Sequence, residues 1–140
     1  MKYLILFLLL IIGCGKVDKL YIDPAFYPYI DLFEQYYGVN VNLDITFYSL
    51  DEPTIGQCHS TSNPYIKIDP EFWFSTDDLQ QKALIFHELV HCVFGFMDHE
   101  NAMLEEEPYC PYSIMHKHIV PSYCLDKYYD HYIDELRDYR

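Results

Sequence analysis

The chain has 140 residues, 51% of them hydrophobic, and carries 22 acidic against 9 basic side chains, for a formal charge of −13. This length suits one domain with a hydrophobic core of its own. The acidic balance argues against nucleic acids and anionic membrane surfaces as direct partners, because both would repel such a chain.

The first residues have the features of an export signal. Lys2 provides a positive start, and the apolar run at 3–12 is too short to span a bilayer comfortably. The letters IIGC, which end at Cys14, resemble a lipobox, whose cysteine is lipidated and becomes the mature N-terminus. We therefore expect a signal peptide at 1–13 and a lipidated tether at 14–20. An ordinary signal peptide and an uncleaved anchor are the alternatives. In a host with two membranes, the expected location is the outer membrane.

A helix and a strand are expected at the start of the folded domain, residues 21–140. Asp23 can cap the helix, and Pro24 fits its first turn. Apolar side chains then recur at helical spacing, at Phe26, Ile30, Phe33 and Tyr37. Gly38 is expected to stop the helix. Residues 41–48 alternate apolar and polar side chains, which predicts a half-buried strand.

Two short strands and a long helix are expected next. The strands are predicted at 55–60 and 65–69, each after a turn that contains proline. The helix is predicted over about 76–95. Ser75 or Thr76 would cap its N-terminus.

The last part of the chain is expected to form a loop and a helix. Residues 96–121 show no strong periodicity, and loops of this length inside a small domain are usually functional. Residues 122–138 form an amphipathic pattern. Its apolar stripe comprises Leu125, Tyr128, Tyr129, Tyr132, Ile133 and Leu136. The order of helix, strands, helix, loop and helix predicts an α+β fold.

The long helix contains the motif HELVH, which begins at His87 and ends at His91. Residues four apart lie on the same face of a helix, so both imidazoles can reach one metal ion. Glu88 lies beside them and can take a proton from a metal-bound water. This arrangement is typical of zinc hydrolases, in which the metal lowers the pKa of its water to about 7.

Further residues downstream complete a larger pattern. Gly95 ends the apolar run, and His99 follows it as the best candidate for a third ligand. Asp98 is the alternative, because carboxylates also bind zinc. The letters SIMH then place Met115 after a loop that contains proline.

These motifs resemble the metzincin clan of zinc metalloendopeptidases. That clan has the pattern HExxHxxGxxH, followed by a methionine turn beneath the metal. SIMH is typical of the astacin and matrixin branches. The chain is also similar to small bacterial and phage lipoproteins described as matrixin-like. The resemblance covers roughly residues 83–118 closely. It implies one zinc ion held by His87, His91 and His99, with Glu88 as general base and Met115 in the turn.

The chain departs from the metzincin pattern at three points. Gly95 follows the second histidine by four residues where the pattern has three, and His99 follows it by eight where the pattern has six. Lys117 stands where astacins carry a tyrosine, so no role of that tyrosine can be transferred. The fold that the resemblance implies is a trimmed metzincin. It has a small mixed sheet packed on the zinc helix, between an N-terminal and a C-terminal helix.

Four cysteines follow the lipobox, at Cys58, Cys92, Cys110 and Cys124. An even number in an exported chain suggests two disulfides. A bond from Cys58 to Cys92 would tie the zinc helix to the sheet, and Cys110 to Cys124 would close a short loop. The other two pairings stay open. Zinc binding by these cysteines is a weaker alternative, because CxxC pairs are absent from the sequence.

The expected function is that of a monomeric, lipid-anchored, extracytoplasmic metallopeptidase whose catalytic domain is residues 21–140. It would bind one zinc ion and cleave peptide or protein substrates. The alternatives are a metal-binding envelope lipoprotein that serves as an interaction module without catalysis, and a structural lipoprotein whose motif arose by chance.

Overall fold

The computed structural model describes residues 20–139. The expected signal peptide, the lipidated Cys14 and all of the tether except Leu20 therefore lie outside the described residues. Within them, a three-stranded mixed sheet is combined with five α-helices, which confirms the α+β expectation. No helix in this part of the chain has the length and apolar character needed to cross a membrane.

The elements follow one another in the expected order, with shorter strands than expected. The helices and strands are α1 (Tyr27–Tyr37), β1 (Asp44–Phe47), β2 (Gly56–His59), β3 (Tyr65–Ile68), α2 (Pro70–Ser75), α3 (Asp78–Leu89), α4 (Ser122–Lys127) and α5 (Tyr129–Glu135). Short 3₁₀ turns precede α1 and follow α5, at Pro24–Phe26 and Leu136–Tyr139, and a π turn at Val90–Phe94 follows α3.

The N-terminal segment begins and ends as its sequence predicts. The carboxylate of Asp23 accepts the backbone N–H of Ala25 at 3.0 Å and caps the first turn. Gly38 ends α1 with φ 62°, a left-handed conformation that a side chain would strain. Phe33 of α1 packs edge-to-face on Phe86 of α3, with the ring centroids 5.2 Å apart. The helix thus lies against the helix that carries the HExxH motif.

The sheet has the order β1-β3-β2, with β1 parallel and β2 antiparallel to β3. Ile22 forms a parallel bridge with Ile45, so the segment before α1 covers the outer side of β1. Among the described residues, β2 has no strand on its other side. The sheet therefore presents β2 as its open edge.

The long helix predicted over 76–95 is corrected at its start, and beyond Leu89 it continues as the π turn. Asp77 is its cap, and neither Ser75 nor Thr76 has that role, since the Asp77 carboxylate accepts the N–H of Gln80 at 3.0 Å. Residues before the cap form the separate helix α2, whose own cap is Asp69. Aspartate binds the free N–H groups of a first turn readily, so Asp69 and Asp77 start two helices within a few residues.

The C-terminal helix predicted over 122–138 is also corrected. It breaks at Tyr128, where φ is −119° and ψ is 31°. Cys124 anchors α4 through its disulfide, whereas the Tyr132 hydroxyl anchors α5 by donating to the carbonyl of Pro111 at 2.6 Å. Because of the break, α4 and α5 need not share one helix axis, and each can keep its own contact. The expected apolar stripe survives it, with Leu125, Tyr132, Ile133 and Leu136 buried.

Candidate metal centre

Three imidazoles converge at the open edge of the sheet. His87 lies in α3, His91 lies in the π turn, and His99 lies in the loop beyond Gly95. The Nε2 atoms of His87 and His91 are 3.0 Å apart, and each lies 3.3 Å from Nε2 of His99. The structure thus brings together the three predicted histidines. Asp98 is not part of this cluster.

The other ring nitrogens of His87 and His91 determine which form the rings take. Nδ1 of His87 lies 2.8 Å from the carbonyl oxygen of Ile114, and Nδ1 of His91 lies 2.5 Å from that of Phe96. A carbonyl can only accept, so each Nδ1 carries the proton and donates it. Each Nε2 therefore points a lone pair at the other. Carbonyl partners of this kind orient metal-binding histidines in proteins.

Such an arrangement fits a metal ion. Two lone pairs that face each other at 3.0 Å repel unless a cation lies between them. Zinc–nitrogen bonds of 2.0–2.1 Å in a tetrahedron place the nitrogens about 3.3 Å apart. The three separations match this spacing, and three nitrogens leave a fourth position open. The three histidines could hold a metal ion of this kind.

Burial keeps two of these rings neutral. It lowers the pKa of His87 to about 4, with the nearby His91 and His99 adding to the shift. Burial also lowers the pKa of His91 below its usual value. Neutral imidazole is the form that binds a metal, so neither ring has to lose a charge at pH 7 before binding.

Gly95 follows His91 by four residues, one more than in the pattern HExxHxxGxxH. The π turn accommodates the additional residue. A π turn adds one residue to a helical turn, and such turns are common at functional sites. Here it includes His91, ends at Phe94, and is followed by Gly95 at φ 70°. The left-handed glycine turns the chain back, which lets the carbonyl of Phe96 reach His91.

Glu88 lies beside the three histidines but is not part of the cluster. Its side chain is buried, with 4% of the residue exposed. Burial raises the pKa of Glu88 to about 8, and the nearby backbone N–H of Cys58 works against this shift. A buried carboxyl next to a metal site can accept and release protons without binding the metal itself.

A cleft of about 360 Å³ opens in front of these residues. Residues 53–58, which comprise the first residues of β2 and the segment before it, line one side of the cleft. Ile114, His116, Lys117 and Ile119 line the other. An extended chain could therefore lie along β2 and pass the three histidines.

The methionine turn, residues 113–116, contacts the histidine cluster through His87. Met115 is fully buried, and the carbonyl of the preceding Ile114 holds His87. The turn is itself held by Glu135 of α5, whose carboxyl accepts the N–H of Ile114 and the hydroxyl of Ser113. Burial raises the pKa of Glu135 to about 7, against the effect of these two donors.

Both disulfides join elements of the site. Cys58 in β2 bonds to Cys92, the residue after His91, and Cys110 bonds to Cys124 at the start of α4. This is the pairing that the sequence favoured over the two alternatives. The first bond ties the open edge strand to the π turn. The second ties the loop before the methionine turn to the C-terminal helices.

Two residues of this site are not apparent from the sequence. Glu135 lies 20 residues beyond Met115, in a helix whose acidic residues look like a solvated face. Gly56 looks like an ordinary strand glycine, yet it lies directly against Glu88. A glycine inside a strand pattern can mark a close approach of another group, which is the one available signal.

Comparisons of the chain with protein-family models, with curated proteins and with solved structures found no match.

Proposed function

We propose that this protein is a zinc metalloendopeptidase of the metzincin type. The observation that carries the proposal is the convergence of His87, His91 and His99, with Nε2 atoms 3.0–3.3 Å apart. The Nδ1 donation by two of the rings leaves their Nε2 lone pairs for a metal. Three imidazoles and one open position are the donor set of catalytic zinc, whereas structural zinc sites have four protein ligands.

The three histidines would hold the metal, and Glu88 would move the protons. When bound, zinc supplies a Lewis acid that polarises a carbonyl and lowers the pKa of its water to about 7. One carboxylate oxygen of Glu88 would take a proton from water while the oxygen of that water attacks the scissile carbonyl carbon. The Glu88 oxygen would then deliver the proton to the amide nitrogen as the C–N bond breaks, which releases a neutral amine.

The open edge of β2 supports an extended peptide as substrate. The carbonyl of Ile55 accepts the N–H of Asp69 at 2.9 Å, so Ile55 pairs with the neighbouring strand. Bonding alternates along an antiparallel pair, which turns the backbone groups of Gly56 outward. A peptide that adds to this edge would gain main-chain hydrogen bonds and lie across the cleft. Peptides and unfolded protein segments are therefore the proposed substrates.

The disulfides support an extracytoplasmic location. Two disulfides persist in oxidising compartments and are rare in the cytosol of most organisms. This location agrees with export and with lipid attachment at Cys14, which are part of the proposal. The folded domain would then act at the surface of the cell envelope.

Zinc content and peptide cleavage test the proposed function together. The purified protein should contain one zinc per chain by elemental analysis and should cleave casein or a mixed peptide library. Stoichiometric zinc without cleavage would support the non-catalytic interaction module. Absence of any bound metal, even after incubation with zinc, would mean that the histidine pattern arose by chance.

A further inference from the structure

Gly56, the first residue of β2, lies directly against the side chains of Glu88 and Leu84. A Cβ atom built on it would be 2.6 Å from Oε1 of Glu88 and 3.0 Å from its Cγ. It would also be 2.8 Å from Cδ1 of Leu84, one turn earlier in α3. Non-bonded heavy atoms do not approach this closely, so a side chain at position 56 would displace the side chains of Glu88 and Leu84.

The conformation of the backbone does not explain this glycine. The glycines with positive φ in the described part of the chain are Gly38 and Gly95, and Gly56 is not among them. A glycine inside a strand costs about 0.5–1 kcal/mol relative to alanine. An alanine could adopt this backbone, so the contact with Glu88 and Leu84 is the physical reason for the glycine.

The same strand contacts Glu88 at a second point. Gly56 and Cys58 are two residues apart in β2, so their Cα substituents point to the same face of the sheet. On that face Cys58 bonds to Cys92, and its backbone N–H lies near enough to the Glu88 carboxylate to lower the pKa of that group. The carboxylate therefore lies against the Cα of Gly56, with the N–H of Cys58 nearby.

We infer that Gly56 is a positioning residue for the general base. The bare Cα of Gly56 leaves space for the Glu88 carboxylate beside the cleft. A methyl group at this position would push the carboxylate away while leaving the three histidines in place, because the atoms it meets belong to the side chains of Glu88 and Leu84 and not to the backbone of α3. This inference rests on the proposed function for its effect on catalysis, but not for its effect on the position of Glu88.

The test is Gly56→Ala in the full chain. We expect one zinc per chain, as in the wild type, and a kcat lower by about tenfold to a hundredfold with KM nearly unchanged, since a shift of about 1 Å can cost this much. In a crystal structure of the metal-free variant, the Glu88 carboxylate should be displaced from its wild-type position by about 1 Å or more. Ser60→Ala, at an exposed position just after β2, is the matched control and should leave the zinc content, kcat, KM and the position of Glu88 unchanged.

A double-mutant cycle separates positioning from general damage to the fold. Glu88→Asp shortens the side chain by one methylene and should itself lower kcat. Because the shorter side chain avoids the added methyl, Gly56→Ala should cost clearly less in the Glu88→Asp background than in the wild type. Equal costs in the two backgrounds would contradict the inference.

A second variant covers the case in which Gly56→Ala does not fold. The double variant Gly56→Ala/Leu84→Ala removes the contact with Leu84 but retains both contacts with Glu88. It should fold and bind zinc, and its crystal structure should still show the displaced Glu88 carboxylate. An unchanged position of this carboxylate in a folded alanine variant would overturn the inference. A wild type that cleaves no peptide would overturn the proposed function alone, since the position of Glu88 is measured without activity.

Discussion

His87 donates from Nδ1 to the carbonyl oxygen of Ile114 over 2.8 Å, across 27 residues of sequence. The methionine turn thus determines both the tautomer and the direction of one candidate metal ligand. Because Glu135 accepts the N–H of the same Ile114, a helix at the far end of the chain is connected to the metal centre through two hydrogen bonds.

The first prediction concerns the metal. His87→Ala and His91→Ala should each reduce bound zinc from one per chain to a small fraction, because two imidazoles remain where three converge. Elemental analysis after exhaustive dialysis is the measurement. His131→Ala is the matched control, since His131 donates to the carbonyl of Tyr112 and lies outside the cluster. Full zinc in both ligand variants would refute the ligand assignment.

The second prediction separates catalysis from binding. Glu88→Gln keeps the size of the side chain but cannot accept a proton, so hydrolysis should fall by about 10²-fold or more. Zinc content and melting temperature should stay close to those of the wild type, because Glu88 does not belong to the histidine cluster. Steady-state kinetics on a fluorogenic peptide give the result. Unchanged kcat in this variant would mean that another group acts as the base.

The third prediction concerns stability and pH. Burial raises the pKa of Glu135 to about 7 from an ordinary value of 4.5. The folded state therefore holds this proton more tightly than the unfolded state does. The resulting stability is fully present below pH 4.5 and is lost as the pH rises through 7. The loss should be on the order of 1–3 kcal/mol in the free energy of unfolding.

Glu135→Gln is the variant that isolates this effect. The amide stays neutral and can still accept from Ile114 and Ser113, so the variant should lose less stability than the wild type between pH 4.5 and 7. Urea titrations of the metal-free protein at several pH values measure the difference. Glu106→Gln, at an exposed position, serves as the control. Identical pH dependence in the wild type and Glu135→Gln would contradict the assignment.

The fourth prediction concerns the disulfides. Cys110 and Cys124 are 14 residues apart, and closing such a loop stabilises a fold by roughly 3 kcal/mol in the chain-entropy model. Replacing both by serine should lower the free energy of unfolding by about that amount. Peptide mapping without reductant checks the pairing directly. A crosslinked peptide that contains Cys58 and Cys110 would show a different connectivity.

The fifth prediction concerns the anchor. Metabolic labelling with a palmitate analogue should mark the protein, and Cys14→Ser should abolish the label. In cell fractionation, the variant should then appear in the soluble fraction and the wild type in the membrane fraction. A label that persists in Cys14→Ser, or that never appears in the wild type, would exclude lipid attachment at this cysteine.

The local signals in the sequence predicted much of the fold. Asp23 and Gly38 delimit the first helical segment as expected, since caps depend on the nearest backbone groups. The strand predicted at 65–69 is present as β3, with Ile66 and Ile68 buried. The spacing of His87 and His91 predicted two imidazoles on one helical face, which the structure brings within 3.0 Å of each other.

The sequence did not show which of several suitable residues caps a helix, or where a helix breaks. Ser75, Thr76 and Asp77 can all cap a helix, and Asp77 does so here. The amphipathic stripe from Leu125 to Leu136 predicted one helix, but a stripe does not show where a helix bends to satisfy two anchors. Boundaries of this kind depend on contacts between segments that lie far apart in the chain.

The sequence by itself determined the chemistry of the site: two histidines at helical spacing, a glutamate beside them, a glycine that ends the helix and a methionine turn. Only the tertiary structure decided that His99 rather than Asp98 joins the cluster, that Gly56 lies against Glu88 and that Glu135 holds the methionine turn. The physical reason is that helical spacing is a property of neighbouring residues. The approach of β2 to α3 and of α5 to the turn depends instead on how the whole core packs.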